Sequence, residues 1–413
     1  MRYLLAYVPM TFLTVVHLDA RQLFAAETIT IEVRETAGIR RFGYPVEATL
    51  KLPKSVPEMT HFRLLENGKP VAAQFRSLSN KESSNQRRLH FNVSLLPGRS
   101  KQFTVEYGED VPAETPQRRG GLTFNEPNDL YMVSHAPHLH WTISKELQGL
   151  LPSLKAGGVE QMRNDSPGLI LHGNDSRKYV IGNEILMSSQ VIRKGPIAID
   201  LRFEQTQEID SLPGVHTTVN LQFVNSKSWV RVDWVVDDPN GRVSKLESLL
   251  HVNLDKPQGR NRTLVDFGAT SYVYVALNEG QYADLITASR LINEGPPKSP
   301  KHVFWRVRRG KLPRPEPFVI GLKNATTFPE GWAHLMDRQK CLAVAVADFA
   351  RSSSDQIGIS SDGTLSLKRR YSERSAQGKK HYRFWLHFVS NPPHISAATS
   401  PQSMQLPLEV RIR

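Results

Sequence analysis

Short runs of alternating apolar and polar residues recur along most of this chain. Residues 28–33 (TITIEV), 101–107 (KQFTVEY) and 229–236 (WVRVDWVV) show the pattern most clearly. A period of two places every second side chain on the same face, which is typical of a half-buried β-strand. The pattern predicts an all-β protein built from many short antiparallel strands.

Polar turn residues between such runs predict individual hairpins. Asn67-Gly68 separates two alternating runs and is the strongest short-range hairpin signal in the sequence. Residues 225–228 (NSKS) separate another pair of runs in the same way. Only the segments Ile143–Leu154 and Gln281–Asn293 have a composition that favours a short helix.

The segment Gly331–Phe349 (GWAHLMDRQKCLAVAVADF) contains the most apolar strand of the chain. Residues 341–347 have strand length and no helical period, so we expect a central strand that is covered on both faces. The polar residues 337–340 predict a tight turn before this strand, with Trp332 and His334 on the preceding arm. The segment predicts a hairpin at the heart of a β-sandwich.

The strand signals fall into two groups. Residues 27–111 hold about five or six strand-like runs, which suggests a small β-barrel. Residues 112–121 contain Pro, Gly and Arg with little to bury, and they predict a linker. Residues 122–413 carry more strands than one immunoglobulin-sized unit, so they predict a large antiparallel β-sandwich.

The N-terminal residues have the order of an export signal. Arg2 precedes an apolar stretch at residues 3–16, and Ala25-Ala26 supplies small residues for cleavage. We therefore expect residues 1–26 to be a signal peptide and the protein to be secreted or periplasmic in a bacterial envelope. The alternative is an apolar N-terminal strand of a cytosolic protein. No later stretch is long and apolar enough for us to expect insertion in a membrane.

Cysteine usage and charge narrow the expected partners. Cys341 is the single cysteine, and its apolar strand predicts a buried, unreactive thiol. The formal net charge is +13, from 53 Lys and Arg against 40 Asp and Glu. In an exported protein this excess favours an acidic polysaccharide partner. We expect no nucleic-acid partner, because neither a recognition-helix pattern nor a zinc-ligand spacing is present. The sequence does not predict an oligomeric state.

Two basic regions interleave cations with aromatic residues. The first is residues 305–315 (WRVRRGKLPRP), and the second joins residues 368–371 to residues 379–383 through an expected hairpin at Gly378. Arg offers a planar fork to a carboxylate or sulfate, and an aromatic ring offers a flat face to a sugar. The alternative is a solvated face without a ligand. The candidate ligand-binding residues are Trp305, Arg306, Arg308, Trp332, His334, Arg369 and Tyr371.

Catalytic and metal-binding signals are sparse. His138 and His140 share a face if their segment is extended, but no cysteine or acidic ligand accompanies them, so we predict no metal and no cofactor. The sequence has no Gly-x-Ser-x-Gly elbow. The candidates for proton transfer and carboxylate neutralisation are His334, Arg231 and Tyr382. Asp337 follows His334 by three residues and could orient it, although a polar hairpin end explains the same spacing.

Several short motifs carry a family resemblance. They are residues 42–46 (FGYPV), 65–71 (LENGKPV) with Gln74, 96–98 (LPG) and 107–108 (YG), and then 194–197 (KGPI), 228–232 (SWVRV) and 331–335 (GWAHL). With them the chain resembles exo-rhamnogalacturonan lyase and YetA-like proteins. The resemblance implies an N-terminal RIFT barrel followed by a galactose-mutarotase-like sandwich. Full-length members also carry a C-terminal helical toroid that supplies much of the catalytic apparatus, and we expect this chain to lack it.

Three functions fit these observations. The first is an exported protein that binds an acidic polysaccharide, pectin-like or sulfated, without a full catalytic apparatus. The second is an enzyme, a rhamnogalacturonan lyase-like polysaccharide lyase or a glycoside-processing protein that acts on uronate-containing polysaccharide. The third is a structural protein of the envelope. The basic β-surface is common to the first and third hypotheses.

Overall fold

The structure is a computed structural model. It describes residues 26–78, 83–112, 121–135, 138–255, 262–269, 272–287, 303–322, 329–351, 354–371, 377–389 and 399–413. The predicted signal peptide lies outside the described residues, except for Ala26, and so do residues 113–120 of the predicted linker. Among the described residues, no helix has the length and apolar character needed to cross a membrane.

The N-terminal part forms two small sheets that pack on a shared core, and we call it the small domain. Its strands are β1 (Glu27–Arg34), β2 (Arg41–Pro57), β3 (His61–Glu66), β4 (Lys69–Val71), β5 (Ala73–Ser77), β6 (Ser83–Leu95) and β7 (Ser100–Gly108). One sheet has the order β1-β7-β3-β4 and the other β2-β6-β5. The predicted hairpin at Asn67-Gly68 is confirmed, since β3 pairs with β4 and both turn residues have positive φ, 52° and 76°.

A five-stranded sheet follows the small domain in sequence. Its strands are β8 (Leu122–Asn125), β9 (Leu130–His135), β10 (Leu139–Ser144), β11 (Ser153–Ala156) and β12 (Val159–Glu160). Trp141 of β10 is fully buried, and its ring centroid lies 5.3 Å from that of Phe223. This sheet therefore shares one hydrophobic core with the sandwich that follows it.

Two large antiparallel sheets form the rest of the molecule. The eight-stranded sheet contains β14 (Lys178–Val180), β13 (Gly168–Gly173), β19 (Val243–His251), β28 (Thr364–Arg370), β27 (Ser354–Ser360), β22 (Tyr282–Thr287), β23 (Val303–Gly310) and β24 (Glu316–Leu322), in that spatial order. The nine-stranded sheet contains β15 (Met187–Arg193), β16 (Ala198–Gln205), β17 (His216–Val224), β18 (Trp229–Asp238), β29 (Gly378–Val389), β26 (Cys341–Val346), β25 (Trp332–Met336), β20 (Thr263–Gly268) and β21 (Tyr272–Leu277).

The two large sheets face each other across a hydrophobic core. Alternate residues of their strands enter it, for example Leu246 and Leu367 from the eight-stranded sheet and Phe223, Trp234 and Phe384 from the nine-stranded sheet. The remaining residues of these strands lie on the two outer faces. This packing confirms the prediction of an all-β protein with a large antiparallel sandwich.

The predicted hairpin at Gly331–Phe349 is confirmed as a central element. Strands β25 and β26 pair with each other and lie inside the nine-stranded sheet. The Asp337 carboxylate accepts hydrogen bonds from the backbone N–H groups of Gln339 at 2.7 Å and Lys340 at 2.6 Å, and these bonds hold the tight turn. Cys341 is 1% exposed, and burial raises the pKa of its thiol well above the usual range.

The structure corrects three local predictions. Ile143–Leu154 contains the end of β10, a series of turns and the start of β11 instead of a helix. Residues 282–287 form strand β22, because their apolar run pairs with β23 and β27; the remainder of the predicted helix, from residue 288, lies outside the described residues. The expected hairpin at Gly378 does not form, since β28 belongs to the eight-stranded sheet and β29 to the nine-stranded sheet.

The C-terminal residues return to the small domain. After helix α1 (Thr399–Gln405), strand β30 (Glu409–Ile412) pairs with β1 and completes its sheet. The guanidinium group of Arg41 donates hydrogen bonds to the carbonyls of Ser403 at 3.0 Å and Leu406 at 2.6 Å, which ties helix α1 to the small domain. The predicted small domain, residues 27–111, therefore lacks this return strand, which the prediction placed in the domain of residues 122–413. The domain boundaries otherwise stay a prediction.

Candidate functional site

The outer face of the eight-stranded sheet carries a concentration of cations, and we call it the basic face. Residues in register on neighbouring strands share a face, and here they include His172, Glu247, Asp284 and Gln356 beside the cations. The cations of this face are Lys178, Lys245, Lys368, Arg370, Arg306 and Arg308. They alternate along their strands with core residues such as Leu246, Leu367 and Val307.

Glu247 is the centre of one polar network on the basic face. Its carboxylate contacts His172 Nε2 at 2.7 Å and accepts a hydrogen bond from the Ser366 hydroxyl at 3.0 Å. The amino groups of Lys245 and Lys368 each lie 3.3 Å from it. Burial alone would raise the pKa of Glu247, but the hydrogen bond with His172 and the charges of the two lysines outweigh burial and lower it. Glu247 is therefore ionised and fully paired at neutral pH.

Asp284 is the centre of a second network, three strands away. Arg308 Nε donates to Asp284 Oδ1 at 2.8 Å, and Gln356 Nε2 donates to Oδ2 at 2.5 Å. The Tyr282 hydroxyl donates to the same oxygen at 3.2 Å. Gly358 makes room for this hydroxyl, because a Cβ atom there would lie 2.2 Å from it. Burial, reinforced by the Asp284 charge, raises the pKa of Tyr282, so the phenol stays protonated.

The remaining cations of the basic face are turned to solvent. Lys178, Arg306 and Arg370 are exposed, and none of them forms an ion pair with another residue in the described part of the chain. The buried carboxylates Glu247 and Asp284 are neutralised by their own partners. The surface that faces water is therefore positive, and among the described residues nothing competes with an anionic ligand for these guanidinium and ammonium donors.

The structure separates the residues of the predicted basic regions. Arg306 and Arg308 lie on the basic face, whereas Trp305 is 2% exposed and points into the sandwich core. Arg369 is 4% exposed, and its Nε donates to Asp355 Oδ1 at 2.8 Å. Tyr371 is half-buried against the core. The alternation of a strand explains the division, because Trp305 and Arg306 must point to opposite faces.

Trp332 and His334 lie on the outer face of the nine-stranded sheet, on the other side of the sandwich. Each is 1% exposed. The Trp332 ring covers Gly268, and His334 Nδ1 lies 3.2 Å from Asp266 Oδ2 on the neighbouring strand. The carboxylate beside His334 is thus Asp266, while Asp337 serves the hairpin turn. Neither side chain presents a surface to solvent.

The three residues proposed for catalysis do not meet at one site. Tyr382 is fully buried in the sandwich core beneath Arg369, whose guanidinium carbon lies 4.9 Å from the centre of the tyrosine ring. Arg231 projects from the outer face of the nine-stranded sheet on β18, and two strands, β29 and β26, lie between β18 and the strand β25 that carries His334. The described geometry therefore brings together no acid, base and cation from this set.

Sequence reasoning missed the carboxylates of the basic face and their partners. His172, Glu247, Tyr282, Asp284 and Gln356 lie on four different strands, and their networks form only through sheet pairing. A local signal did exist, since Asp284 stands among apolar residues and Glu247 follows Leu246 and precedes Ser248-Leu249-Leu250. A buried carboxylate needs partners, so a lone acid in an apolar strand indicates a polar network.

One of the histidines considered for metal binding, His140, takes part in an ordinary polar contact. His140 Nδ1 lies 2.9 Å from the Ser134 hydroxyl, which is on the paired strand β9. Residues 136–137, next to His138, lie outside the described residues. Within the described ranges, no group of three or more His, Cys, Asp or Glu side chains is placed to hold a metal ion.

Comparison by sequence finds no relative. No family model matches the chain, and no curated protein matches it. The resemblance to the exo-rhamnogalacturonan lyase family, including the RIFT type of the small domain, therefore stays a prediction.

Comparison by structure finds the fold in larger proteins. A protein of glycosyl hydrolase family 38 from Enterococcus faecalis matches with a TM-score of 0.56 at 10% identity, over 94% of this chain and 47% of that chain. An α-mannosidase from Enterococcus faecalis V583 matches with the same TM-score and identity, over 94% of this chain and 46% of its own. This chain thus spans about half the length of these two proteins, and the similarity shows a shared fold.

A weaker match is a galactose mutarotase-like protein from Lactobacillus casei ATCC 334. Its TM-score is 0.33 at 12% identity, over 65% of this chain and all of that chain. A similarity at this level carries no argument about the fold or the site.

Proposed function

We propose that this protein is an exported carbohydrate-binding protein that holds an acidic polysaccharide on its basic face. The observation that carries the proposal is the set of exposed cations Lys178, Arg306 and Arg370, which form no ion pair with any residue the structure describes, on a sheet where Glu247 and Asp284 are already neutralised. The positive surface extends over several strands. A polymer with regularly spaced carboxylates or sulfates fits such a surface better than a small anion does, because it can contact many cations at once.

The geometry of the basic face favours binding over bond cleavage. Arg308 is already committed to Asp284, and Tyr282 is held protonated by burial and by the same carboxylate. The sheet backbone holds the cations at fixed spacing. The protein backbone therefore loses little conformational freedom when a linear polyanion binds. Arg306 and Arg370 can each present a planar fork to a carboxylate or sulfate of the polymer.

The structural neighbours agree with a role in carbohydrate interaction in general terms. The two proteins that share the fold are described as a glycosyl hydrolase family 38 protein and an α-mannosidase. The acidic character of the ligand and the export of the protein rest on the net charge of +13 and on the N-terminal sequence.

Charge reversal on the basic face tests the proposal. The double variant Arg306→Glu/Arg370→Glu should weaken binding to immobilised polygalacturonate about tenfold or more, because two exposed ion pairs contribute roughly 1–2 kcal/mol together and reversal adds repulsion. Affinity chromatography and surface plasmon resonance at low salt measure the change. Wild-type binding should fall steeply when the salt concentration rises, since exposed ion pairs are screened.

The control changes the net charge equally at another place. Lys51→Glu/Lys69→Glu alters two exposed lysines of the small domain that have no ion pair with another described residue. This variant should retain nearly wild-type affinity. Equal losses in the two double variants, or wild-type retention that does not change with salt, would refute binding at the basic face.

A further inference from the structure

A deep cleft lies between the small domain and the outer face of the nine-stranded sheet, far from the basic face. Its volume is about 630 Å³, which is within the usual range for small-molecule sites. Strand β2 of the small domain forms one wall, strands β18 and β29 form the floor, and helix α1 with the chain that follows it forms the second wall. Its apolar lining includes Trp229, Trp385, Phe349 and Met404.

Glu47 organises the first polar end of the cleft. Its carboxylate lies 3.2 Å from Arg88 Nη1 and 3.2 Å from His90 Nε2, and it accepts a hydrogen bond from Gln222 Nε2 at 3.3 Å. Arg231 Nη2 approaches it to 3.9 Å. These partners come from both domains, so the carboxylate and its neighbours are held in one fixed arrangement.

Arg383 supplies further donors to the same cleft. Its Nε bonds to Asp233, which also lies 2.8 Å from Arg231 Nε. No other described residue bonds to Arg383, so both of its terminal amino groups can serve a ligand in the cleft. The side-chain oxygen of Gln222, Oε1, likewise has no partner among the described residues and adds an acceptor beside Glu47.

Glu330 and helix α1 form the other polar end. Glu330 accepts hydrogen bonds from Trp332 Nε1 at 2.5 Å and from Gln402 Nε2 at 3.0 Å. Asp348 and Arg351 stand nearby, with 3.8 Å between their charged groups. This end also combines carboxylate, carboxamide and guanidinium groups around the cleft.

The charges that line the cleft balance one another. The guanidinium groups of Arg231, Arg351 and Arg383 are matched by the carboxylates of Glu47, Glu330 and Asp348. Burial, with a contribution from the Arg193 charge, lowers the pKa of His90, so the imidazole adds no charge at neutral pH. A cleft without net charge gives no advantage to an anionic ligand over an uncharged one.

We propose that this cleft is a second binding site and that it takes a neutral saccharide of one or a few sugar units. Planar groups with paired donors or acceptors, such as those of Arg383, Gln222 and Glu330, match the neighbouring hydroxyl groups of a sugar. The apolar lining around Trp229 and Trp385 matches its C–H faces. The site is independent of the basic face and of the acidic polymer proposed there.

The carboxylates of Glu47 and Asp233 are suited to holding the arginines of the cleft and not to acid catalysis. Burial alone would raise the pKa of Asp233, but its hydrogen bond with His381 and the charges of Arg231 and Arg383 lower it to about 2. The contact with His90, together with the charges of Arg231 and Arg88, likewise overcomes burial and lowers the pKa of Glu47. A glycosidase needs a carboxylic acid that stays protonated, and neither group meets this requirement at neutral pH.

Calorimetric titration with single sugars tests the proposal. Galactose, mannose, glucose and rhamnose are added separately to the full chain at up to about 50 mM, and we expect at least one to bind with a roughly millimolar Kd that does not change with salt. Arg383→Ala should weaken this binding about fivefold or more because it removes charge-assisted donors. The control Arg99→Ala, an exposed arginine outside the cleft, should bind like wild type.

A second variant blocks the cleft without touching its ionised groups. Leu406 lines the cleft and is 44% exposed, so the longer side chain in Leu406→Arg should fill the cleft and abolish sugar binding. Circular dichroism should show that this variant stays folded. Arg306→Glu/Arg370→Glu should leave sugar binding unchanged, which separates this site from the basic face. Absence of binding to all four sugars would overturn the proposal, and so would tighter, salt-dependent binding of galacturonate or an unchanged affinity in both cleft variants.

Discussion

Asp233 illustrates at the residue scale how neighbouring charges control the pKa of a buried carboxylate. Its oxygens lie 2.8 Å from Arg231 Nε and 3.4 Å from His381 Nε2, and its side chain is 11% exposed. These neighbours more than compensate for burial, which alone would raise the pKa, and they hold it at about 2 instead of 3.8. A carboxylate with a lowered pKa stabilises the folded state above the pKa of the unfolded chain.

Asp233→Asn should therefore destabilise the protein in a pH-dependent way. At pH 7 the free energy of unfolding should fall by about 2 kcal/mol, the equivalent of the pKa difference between the folded and unfolded states. Most of this difference should vanish as the pH falls from about 4 to about 2, because the native carboxylate becomes protonated there. Urea unfolding followed by tryptophan fluorescence measures it.

Asp237→Asn on the same strand provides the control for this experiment. Asp237 forms no side-chain hydrogen bond or ion pair with another described residue, so its replacement should have little effect at any pH. A loss in Asp233→Asn that stays constant from pH 7 to pH 2 would show that shape, and not charge, accounts for it.

At the element scale, strand pairing decided which predicted residues share a surface. Arg306 and Lys368 were predicted in separate basic segments, and the order β28-β27-β22-β23 carries them onto one face. The segment that contains Arg369 was expected to turn at Gly378 into the next strand, but the chain crosses to the other sheet there. Alternation within a strand is a local property, whereas the neighbour of a strand is set by contacts that are distant in sequence.

The close approach of strands β20 and β25 gives a prediction at this scale. The Trp332 ring lies over Gly268, and a Cβ atom at that position would be 2.1 Å from the ring. Gly268→Ala should therefore lower the free energy of unfolding by about 3 kcal/mol, because neither the sheet backbone nor the buried ring can move aside freely. Thermal and urea unfolding measure the loss.

A double variant separates this clash from other effects of the substitution. Trp332→Val removes the ring and should be destabilising alone, but Gly268→Ala should cost much less when it is added to that variant. Strictly additive losses would show that the ring is not what excludes a side chain at Gly268.

At the scale of the whole molecule, the chain closes on itself. Strand β30 pairs with β1, so the two ends of the described chain meet in one sheet of the small domain. Helix α1 bridges the domains, since Arg41 bonds to its end and Gln405 Nε2 donates to the Val346 carbonyl at 2.8 Å. Gln74 adds another link, because its side-chain oxygen Oε1 accepts a hydrogen bond from the backbone N–H of Ala198 at 3.2 Å.

Removal of the return strand should loosen the small domain selectively. A chain that stops after Leu408 leaves β1 as an unpaired edge on one side, so the amides of residues 31–34 should exchange with solvent faster. Hydrogen exchange followed by mass spectrometry measures this rate. Strand β26 is the internal reference because it lies inside the nine-stranded sheet, outside the small domain. Equal acceleration in β1 and β26 would mean that the whole molecule unfolds as one unit.

Sequence by itself determined the local features of this protein. Alternating runs predicted the strands, Asn67-Gly68 and Asp337–Lys340 predicted their turns, and the apolar run from Cys341 predicted a buried central strand. Each of these depends on neighbours within a few residues, and the free energy of such contacts can be judged from the sequence pattern. The excess of positive charge was also readable, although its location was not.

Only the tertiary structure decided which of those features meet. It buried Trp305, Trp332 and Tyr382, turned Arg306 and Arg370 outward, and assembled the cleft around Glu47 from two domains and helix α1. The physical reason is that these surfaces are formed by strands far apart in sequence, and the pairing energy of such strands depends on the complete set of competing partners. A single strand reveals which residues share a side, and the folded chain determines what that side faces.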